Sequence, residues 1–165
     1  MGYRAGILTA SDRGHRGERE DASAEAIRGL LQTAGFDLGP YEVVPDERAI
    51  IEDRLRVWCD EPDLALIVTT GGTGLGPRDV TPDATRAVIA YEVPGMAEAM
   101  RAEGLKKTPM AMLSRGVVGV RGRTLIVNLP GSPKGVRENL GAIVGVLPHA
   151  LEVLRNPVTD HGASP

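Results

Sequence analysis

Two hydrophobic patterns alternate along this chain of 165 residues. Strand signals occupy residues 3–10, 41–44 and 64–70, and the unbroken apolar run 64–68 marks a strand covered on both faces. Between them, apolar residues recur at helical spacing. Ile27, Leu30, Leu31 and Ala34 predict a helix over residues 21–34, closed by Gly35, and Ile50, Ile51, Leu55 and Trp58 predict a second after Pro45-Asp46. Thr81-Pro82-Asp83 reads as a helix start, with Thr81 at the N-cap, Pro82 at the first helical position and an acid in the first turn. A further helix covers residues 96–105, and Thr108-Pro109 opens a short one that Gly116 ends. Residues 117–120 and 124–127 flank Arg121-Gly122-Arg123 and predict a hairpin. Ser132-Pro133 repeats the cap-plus-proline start, and the closing helical region reaches residue 155. Residues 13–20 read as a mobile charged loop and residues 156–165 as a frayed tail. The predicted fold is one α/β domain over residues 1–155. It has three layers, α/β/α, around a mostly parallel central sheet with an antiparallel edge hairpin.

Composition narrows the function classes. The net charge is −3 and aromatic residues make up 3% of the chain, so nothing resembles a nucleic-acid surface with stacking platforms. No apolar run approaches the ~18 residues of a membrane span. Met1-Gly2-Tyr3-Arg4 leads directly into a strand and leaves no room for a signal peptide, so the expected compartment is the cytosol. The single Cys59 reads as a packing residue, and His15, His149 and His161 have no metal-ligand spacing.

The chemistry concentrates between Thr69 and Asp83. The apolar run 64–68 leads into Gly71, Gly72, Gly74, Gly76 and Pro77, and then into the helix start at Thr81. Strand, glycine loop and helix N-terminus together form an anion-binding arrangement, because glycine lets the backbone approach a phosphate and free N–H groups point at it. Asp79 lies inside this loop. A bare carboxylate there repels phosphate, which implies a metal ion between them, Mg²⁺ in the first instance. The loop lacks the Lys-Ser or Lys-Thr of a P-loop, and Pro77 stands where the dinucleotide fingerprint needs its third glycine. The plain alternative is a tight turn. Ligands in such folds bind beyond the carboxyl ends of the strands. Four polar corners fall there by chain order: Ser11-Asp12-Arg13, Pro45-Asp46-Glu47, the glycine loop, and Pro130-Gly131-Ser132-Pro133-Lys134. Such a set suits a polyphosphate ester with a bound metal. The loop should be exposed, so that bulk added at Gly72 or Gly74 meets ligand before core.

Taken together, Thr70-Gly71-Gly72-Thr73-Gly74, the run Arg78-Asp79-Val80-Thr81-Pro82-Asp83-Ala84-Thr85, and the blocks Ser11-Asp12-Arg13, Pro45-Asp46-Glu47, Leu113-Ser114-Arg115 and Asn128–Lys134 resemble the molybdopterin adenylyltransferase family. That family includes Mog- and MoaB-like proteins and the G domains of plant Cnx1 and gephyrin. The resemblance covers residues 3–154. It implies Mg²⁺-dependent transfer of AMP from ATP to the terminal phosphate of molybdopterin with release of pyrophosphate, a homotrimer, and hand-over to a molybdate-inserting partner. It implies catalytic roles for Asp46 and Asp79. One departure stands out: where the family often has Asp-x-Ser-Gly, this chain reads Asp21-Ala22-Ser23-Ala24, and glycine would allow a closer ligand approach than Ala24.

Catalysis of that transfer is neutralisation and positioning, since two anions must meet. Asp79 is assigned to the metal, and Asp46 to the metal or to the pterin. Ser11, Asp12, Gly71, Gly72, Thr73, Gly74, Gly131 and Ser132 are assigned to substrate binding, and Lys134 to phosphate charge. Each has a plainer reading: Asp46 as a helix N-cap, Asp79 as a loop acceptor, Asp12-Arg13 as a surface pair, Lys134 as a solvated cation, and Ser114-Arg115 as structural. Two other functions compete: a molybdopterin carrier or scaffold without chemistry, and an unrelated nucleotide hydrolase.

Overall fold

The computed structural model describes residues 2–157. Six strands form one sheet in the order β2-β1-β3-β6-β5-β4. They are β1 (Arg4–Ala10), β2 (Asp37–Val44), β3 (Leu64–Thr70), β4 (Tyr91–Glu92), β5 (Val118–Arg121) and β6 (Thr124–Leu129). β2, β1, β3 and β6 run parallel, and β5 pairs antiparallel with both β6 and β4. The helices are α1 (Asp12–His15), α2 (Ala22–Thr33), α3 (Arg48–Cys59), α4 (Thr81–Val88), α5 (Pro94–Leu105), α6 (Pro133–Ile143) and α7 (Leu147–Arg155), with a 3₁₀ turn over Pro109–Leu113.

The sheet separates two cores. On one face Ile27 and Leu31 of α2, Ala97 and Met100 of α5, Val136 and Leu140 of α6 and Leu147 and Leu151 of α7 pack on Ala5, Ile7, Leu66, Val68 and Val127. On the other, Ile51, Leu55 and Trp58 of α3 and Ala84 and Val88 of α4 pack on Leu8, Leu64, Ile67 and Ile126. β3 is buried along its whole length, which its unbroken apolar run requires. Burying each such Leu or Ile is worth roughly 1.5–3 kcal/mol against leaving it in water. The three-layer architecture and the antiparallel edge therefore agree with the reading from sequence.

The departures are local and have physical causes. β2 begins at Asp37 because Gly39-Pro40, which resemble a turn, lie in an edge strand, where a residue without an N–H is tolerated. Part of the charged loop 13–20 is the helical turn α1, capped by Ser11 Oγ, which accepts from Gly14 N at 3.0 Å. α4 starts at Thr81 itself, one residue earlier than predicted, with Pro82 in its first turn. β4 is too short to leave an apolar run. Of the predicted tail, Asn156 N donates to Glu152 O at the end of α7, and residues 158–165 lie outside the described residues.

Candidate functional site: two clefts on either side of the glycine loop

The chain leaves β1 toward α2 on one face and leaves β3 toward α4 on the other, so the two loops diverge. A crevice opens between neighbouring strands at such a switch point. Parallel register brings the corners level: Ala10 lies beside Val44, Thr9 beside Thr70, and Thr70 beside Leu129. The loops that follow these residues meet at one edge.

The first cleft, of about 250 Å³, is lined by Ser11, Asp46, Gly71, Gly72, Asp79 and Gly131, with Arg19, Asp21 and Ser23 on the α2 side. Asp46 is not the cap of α3. That position belongs to Glu47, which makes no capping hydrogen bond. Instead Asp46 Oδ2 accepts from Asp12 N at 2.9 Å, and Asp12 Oδ1 accepts from Asp46 N at 3.0 Å. Asp12 does not pair with Arg13. Arg78 Nε and Nη2 donate to its two carboxylate oxygens at 3.0 and 2.9 Å. That fork holds the Asp12 carboxyl below the usual carboxylate range, whereas burial, then the Asp12 and Asp79 charges, push Asp46 above it.

Asp79 lines the same cleft and also serves its loop: Oδ2 accepts from Gly76 N at 2.9 Å. Gly71 and Gly72 have φ of 92° and 67°, a region costly for any side chain. A Cβ on Gly71 would lie 2.3 Å from Ala10 O, and one on Gly72 would lie 2.5 Å from Thr81 Oγ1 and 3.3 Å from Asp46 Oδ1. The expectation that bulk at Gly72 meets ligand before protein is thus overturned. At Gly74 an added Cβ would first meet Asp79 Oδ2, at 2.9 Å. The Gly71 N–H donates to Leu129 O at 3.1 Å, so it is not available to a phosphate. The N–H groups of Gly72, Thr73 and Gly74 have no acceptor among the described residues. Thr81 Oγ1, beneath Gly72, is buried and likewise without a partner.

Thr73, Gly74, Ser132 and Lys134 lie on the far side. They line a second cleft of about 350 Å³ with Met110, Leu113, Pro130, Glu138 and Asn139. The predicted residues therefore divide between two cavities, and Gly71–Gly74 with Pro130–Ser132 form the wall between them. Thr70 Oγ1 and Ser23 Oγ tie the second loop down, donating to Pro130 O at 2.6 Å and Gly131 O at 2.7 Å. Ser132 is the cap of α6, accepting from Gly135 N at 3.0 Å. Asp12 lines neither cleft and meets the first one only through its hydrogen bonds with Asp46.

Sequence reasoning undervalued Arg115. Its Nε donates to Gly74 O at 3.0 Å, Nη2 donates to Asp79 O at 2.7 Å, and both terminal nitrogens reach Asp83 at 3.0 and 3.3 Å. Arg115 N also donates to Thr73 O at 2.8 Å. One residue thus holds both ends of the glycine loop and the first turn of α4 together. The only signal for it was its place in the Leu113-Ser114-Arg115 block. Asp21 belongs to the Asp21-Ala22-Ser23-Ala24 departure from the family pattern. It caps α2 by accepting from Ala24 N at 3.1 Å, and it accepts from Thr9 Oγ1 at 2.6 Å and from Tyr41 OH. Ala24 itself is fully buried in the core and lines neither cleft, so it does not obstruct a ligand. Burial pushes the Cys59 thiol up to about 11, which leaves it inert, as a packing residue should be.

The carboxylates of Asp46 and Asp79 are hard oxygen donors of the kind Mg²⁺ takes. No group of three His, Cys, Asp or Glu side chains converges among the described residues. The pair therefore fits Mg²⁺ as a partial ligand set completed by substrate phosphate and water, which is the usual arrangement for this ion.

Residues 6–149 match the family model described as "Probable molybdopterin binding domain". A molybdopterin adenylyltransferase of Helicobacter pylori strain J99 is 45% identical over 153 residues, covering 90% of this chain and 86% of the relative. The molybdenum cofactor synthesis protein cinnamon of Drosophila melanogaster is 43% identical over 93% of this chain, which spans 26% of that longer protein. The crystal structure of the molybdopterin biosynthesis enzyme MoaB from Thermus thermophilus superposes with a TM-score of 0.87 at 60% identity, over 92% of this chain and 96% of that one. With its sheet order, its glycine-loop wall and these likenesses over nearly its whole length, the chain belongs to the molybdopterin adenylyltransferase family of molybdenum cofactor biosynthesis.

Proposed function

We propose that this protein transfers AMP from ATP to the terminal phosphate of molybdopterin, with the two substrates entering from opposite sides of the glycine loop. The observation that carries this reading is the dividing wall. Three consecutive N–H groups, of Gly72, Thr73 and Gly74, are free of protein acceptors there, with Asp46 and Asp79 on one side and Lys134 on the other. A phosphate monoester oxygen of molybdopterin attacks the α-phosphorus of ATP. The new O–P bond forms as the bond to the bridging oxygen breaks, and pyrophosphate leaves with that electron pair. No protein nucleophile is consumed.

The chain's own residues hold this encounter together. The free N–H groups and the Lys134 ammonium offset the charge of the two approaching anions, which is where most of the barrier lies. Asp46 and Asp79 would hold Mg²⁺, which supplies charge neutralisation on the triphosphate when bound. Arg78 fixes Asp12, Asp12 fixes the Asp46 backbone, and Arg115 fixes the loop, so the groups need little reorganisation. The same reading includes a homotrimer and a molybdate-inserting partner, both from family likeness. No helix among the described residues is long and apolar enough to cross a membrane. The same reading, from family likeness, places the reaction in the cytosol. Incubating the protein with ATP and Mg²⁺, with and without molybdopterin, tests the reading. Pyrophosphate released only when molybdopterin is present supports it, and release of inorganic phosphate regardless of pterin favours a hydrolase. Light scattering at three times the chain mass supports the trimer, and a stable monomer refutes it.

A further inference from the structure

We infer that Thr81 is a positioning residue for the transfer: its buried hydroxyl is a donor held in reserve for Asp46 Oδ1, taken up when Asp46 binds Mg²⁺ with ATP. This rests on the reading above and adds a residue that the reading does not use. The two oxygens flank the same side of Gly72. A Cβ there would lie 2.5 Å from Thr81 Oγ1 and 3.3 Å from Asp46 Oδ1. Glycine at this position therefore keeps open the place where the two side chains meet.

Each side chain is one half of a hydrogen bond. Thr81 is fully buried, and its Oγ1 has no partner among the described residues. The ordinary uses of a threonine hydroxyl at a helix start are unfilled. α4 has no side-chain cap, and Ala84 N donates to Val80 O instead. Thr85, one turn on, donates its hydroxyl back to Thr81 O at 2.8 Å, but Thr81 makes no such bond. The Thr81 backbone is nonetheless pinned. Its N–H donates to Gly72 O at 3.2 Å, and Asn128 Nδ2 holds Thr85 Oγ1 at 3.0 Å. The hydroxyl is thus fixed in place and uncommitted. Asp46 mirrors it. Asp46 Oδ2 accepts from Asp12 N, Asp46 N donates to Asp12 Oδ1, and Oδ1 has no donor among the described residues.

An unpaired buried hydroxyl is unfavourable, and so is an unpaired carboxylate oxygen. Were Thr81 there for the fold alone, valine would fill the same space without an orphaned polar atom. A small turn of either side chain brings donor to acceptor. Asp46 is then held at both oxygens, which aims its remaining lone pairs and spares reorganisation when a cation is bound.

Calorimetric titration with ATP in Mg²⁺, without molybdopterin, tests this on the wild type, Thr81→Val, Thr81→Ser, Asp46→Ala and the Thr81→Val/Asp46→Ala double variant. Thr81→Val should weaken ATP binding about tenfold, the worth of a hydrogen bond to a charged group, and Thr81→Ser should restore it. With Asp46→Ala already present, Thr81→Val should weaken binding no further. In EDTA, Thr81→Val should melt no lower than the wild type, because a methyl group replaces an unpaired hydroxyl. A lower melting temperature there would mean that the hydroxyl already serves the fold. Unchanged ATP binding, no rescue by serine, or an equal loss in the Asp46→Ala background would remove its link to Asp46. Each of these results overturns the inference. Absence of AMP transfer in a wild type that still binds ATP overturns the reading above instead, and leaves the coupling of Thr81 to Asp46 standing.

Discussion

Asp12 and Asp46 hold each other by exchange: the backbone N–H of each donates to the side-chain carboxylate of the other, at 2.9 and 3.0 Å. The exchange locks the corner after β1 to the corner after β2. It leaves Asp46 Oδ1 facing Gly72 and the first cleft. The cost falls on Asp46, whose carboxyl is raised by burial and by its two acidic neighbours.

That cost predicts a trade between stability and activity. The folded state binds a proton at Asp46 more tightly than the unfolded state does. Ionised Asp46 therefore destabilises the fold increasingly as pH rises from the ordinary carboxylate value through the raised one. Asp46→Asn removes the charge and keeps an oxygen to accept from Asp12 N. In EDTA its melting temperature should exceed the wild type's at pH 7, and the two should converge near pH 3. Its turnover should be nearly lost. A variant less stable than wild type at neutral pH would contradict the origin assigned to the shift.

Asp79→Asn separates a loop role from a metal role, because an amide oxygen still accepts from Gly76 N. The variant should fold normally and bind molybdopterin, with turnover reduced by ~10³ or more if the carboxylate positions charge at the reacting phosphate. Full activity at saturating Mg²⁺ would leave Asp79 with its loop bond alone.

Gly71→Ala and Gly72→Ala should both destabilise the protein itself. Each combines a positive φ with a Cβ closer than 3.0 Å to a protein oxygen. A loss of about 1–3 kcal/mol from backbone strain alone is expected at each, before the clash is counted. Chemical denaturation measures it. Wild-type midpoints for both would mean that the loop shifts freely, and the wall between the clefts would then not be rigid.

The order of strands and helices was legible because burial on both sheet faces forces continuous apolar runs, and helices on a sheet show one apolar stripe. Asp79 was legible as a candidate, since an acid in a glycine loop is unfavourable beside phosphate without a cation, whereas Asp46 was marked by the family resemblance; both line the first cleft. The division into two clefts was not. Gly72 and Thr73 are neighbours in the chain, and only the positive φ values at Gly71 and Gly72 send the backbone along a wall with a cavity on each side. The partner of Asp12 was missed for a similar reason: Arg13 is adjacent, but the bidentate fork comes from Arg78, 66 residues away. No local spacing reports such a contact.

Arg115 shows how such distant contacts set the site. Removing its guanidinium leaves Gly74 O and Asp79 O without their donor and frees Asp83. Arg115→Ala should cost about 1–3 kcal/mol of stability and raise KM for ATP by about tenfold. Arg115→Lys should recover little, because an ammonium cannot fork to three acceptors. Equal recovery by lysine would reduce the role of Arg115 to its charge.

The fate of the α-phosphorus of ATP tests the central claim most directly. With ATP labelled at the α-phosphorus, Mg²⁺ and molybdopterin, label should move into a pterin product in a one-to-one ratio with unlabelled pyrophosphate. Asp79→Asn should remove that product while molybdopterin binding persists. Label found only in free AMP or ADP, with molybdopterin recovered unchanged, would contradict transfer across the glycine-loop wall.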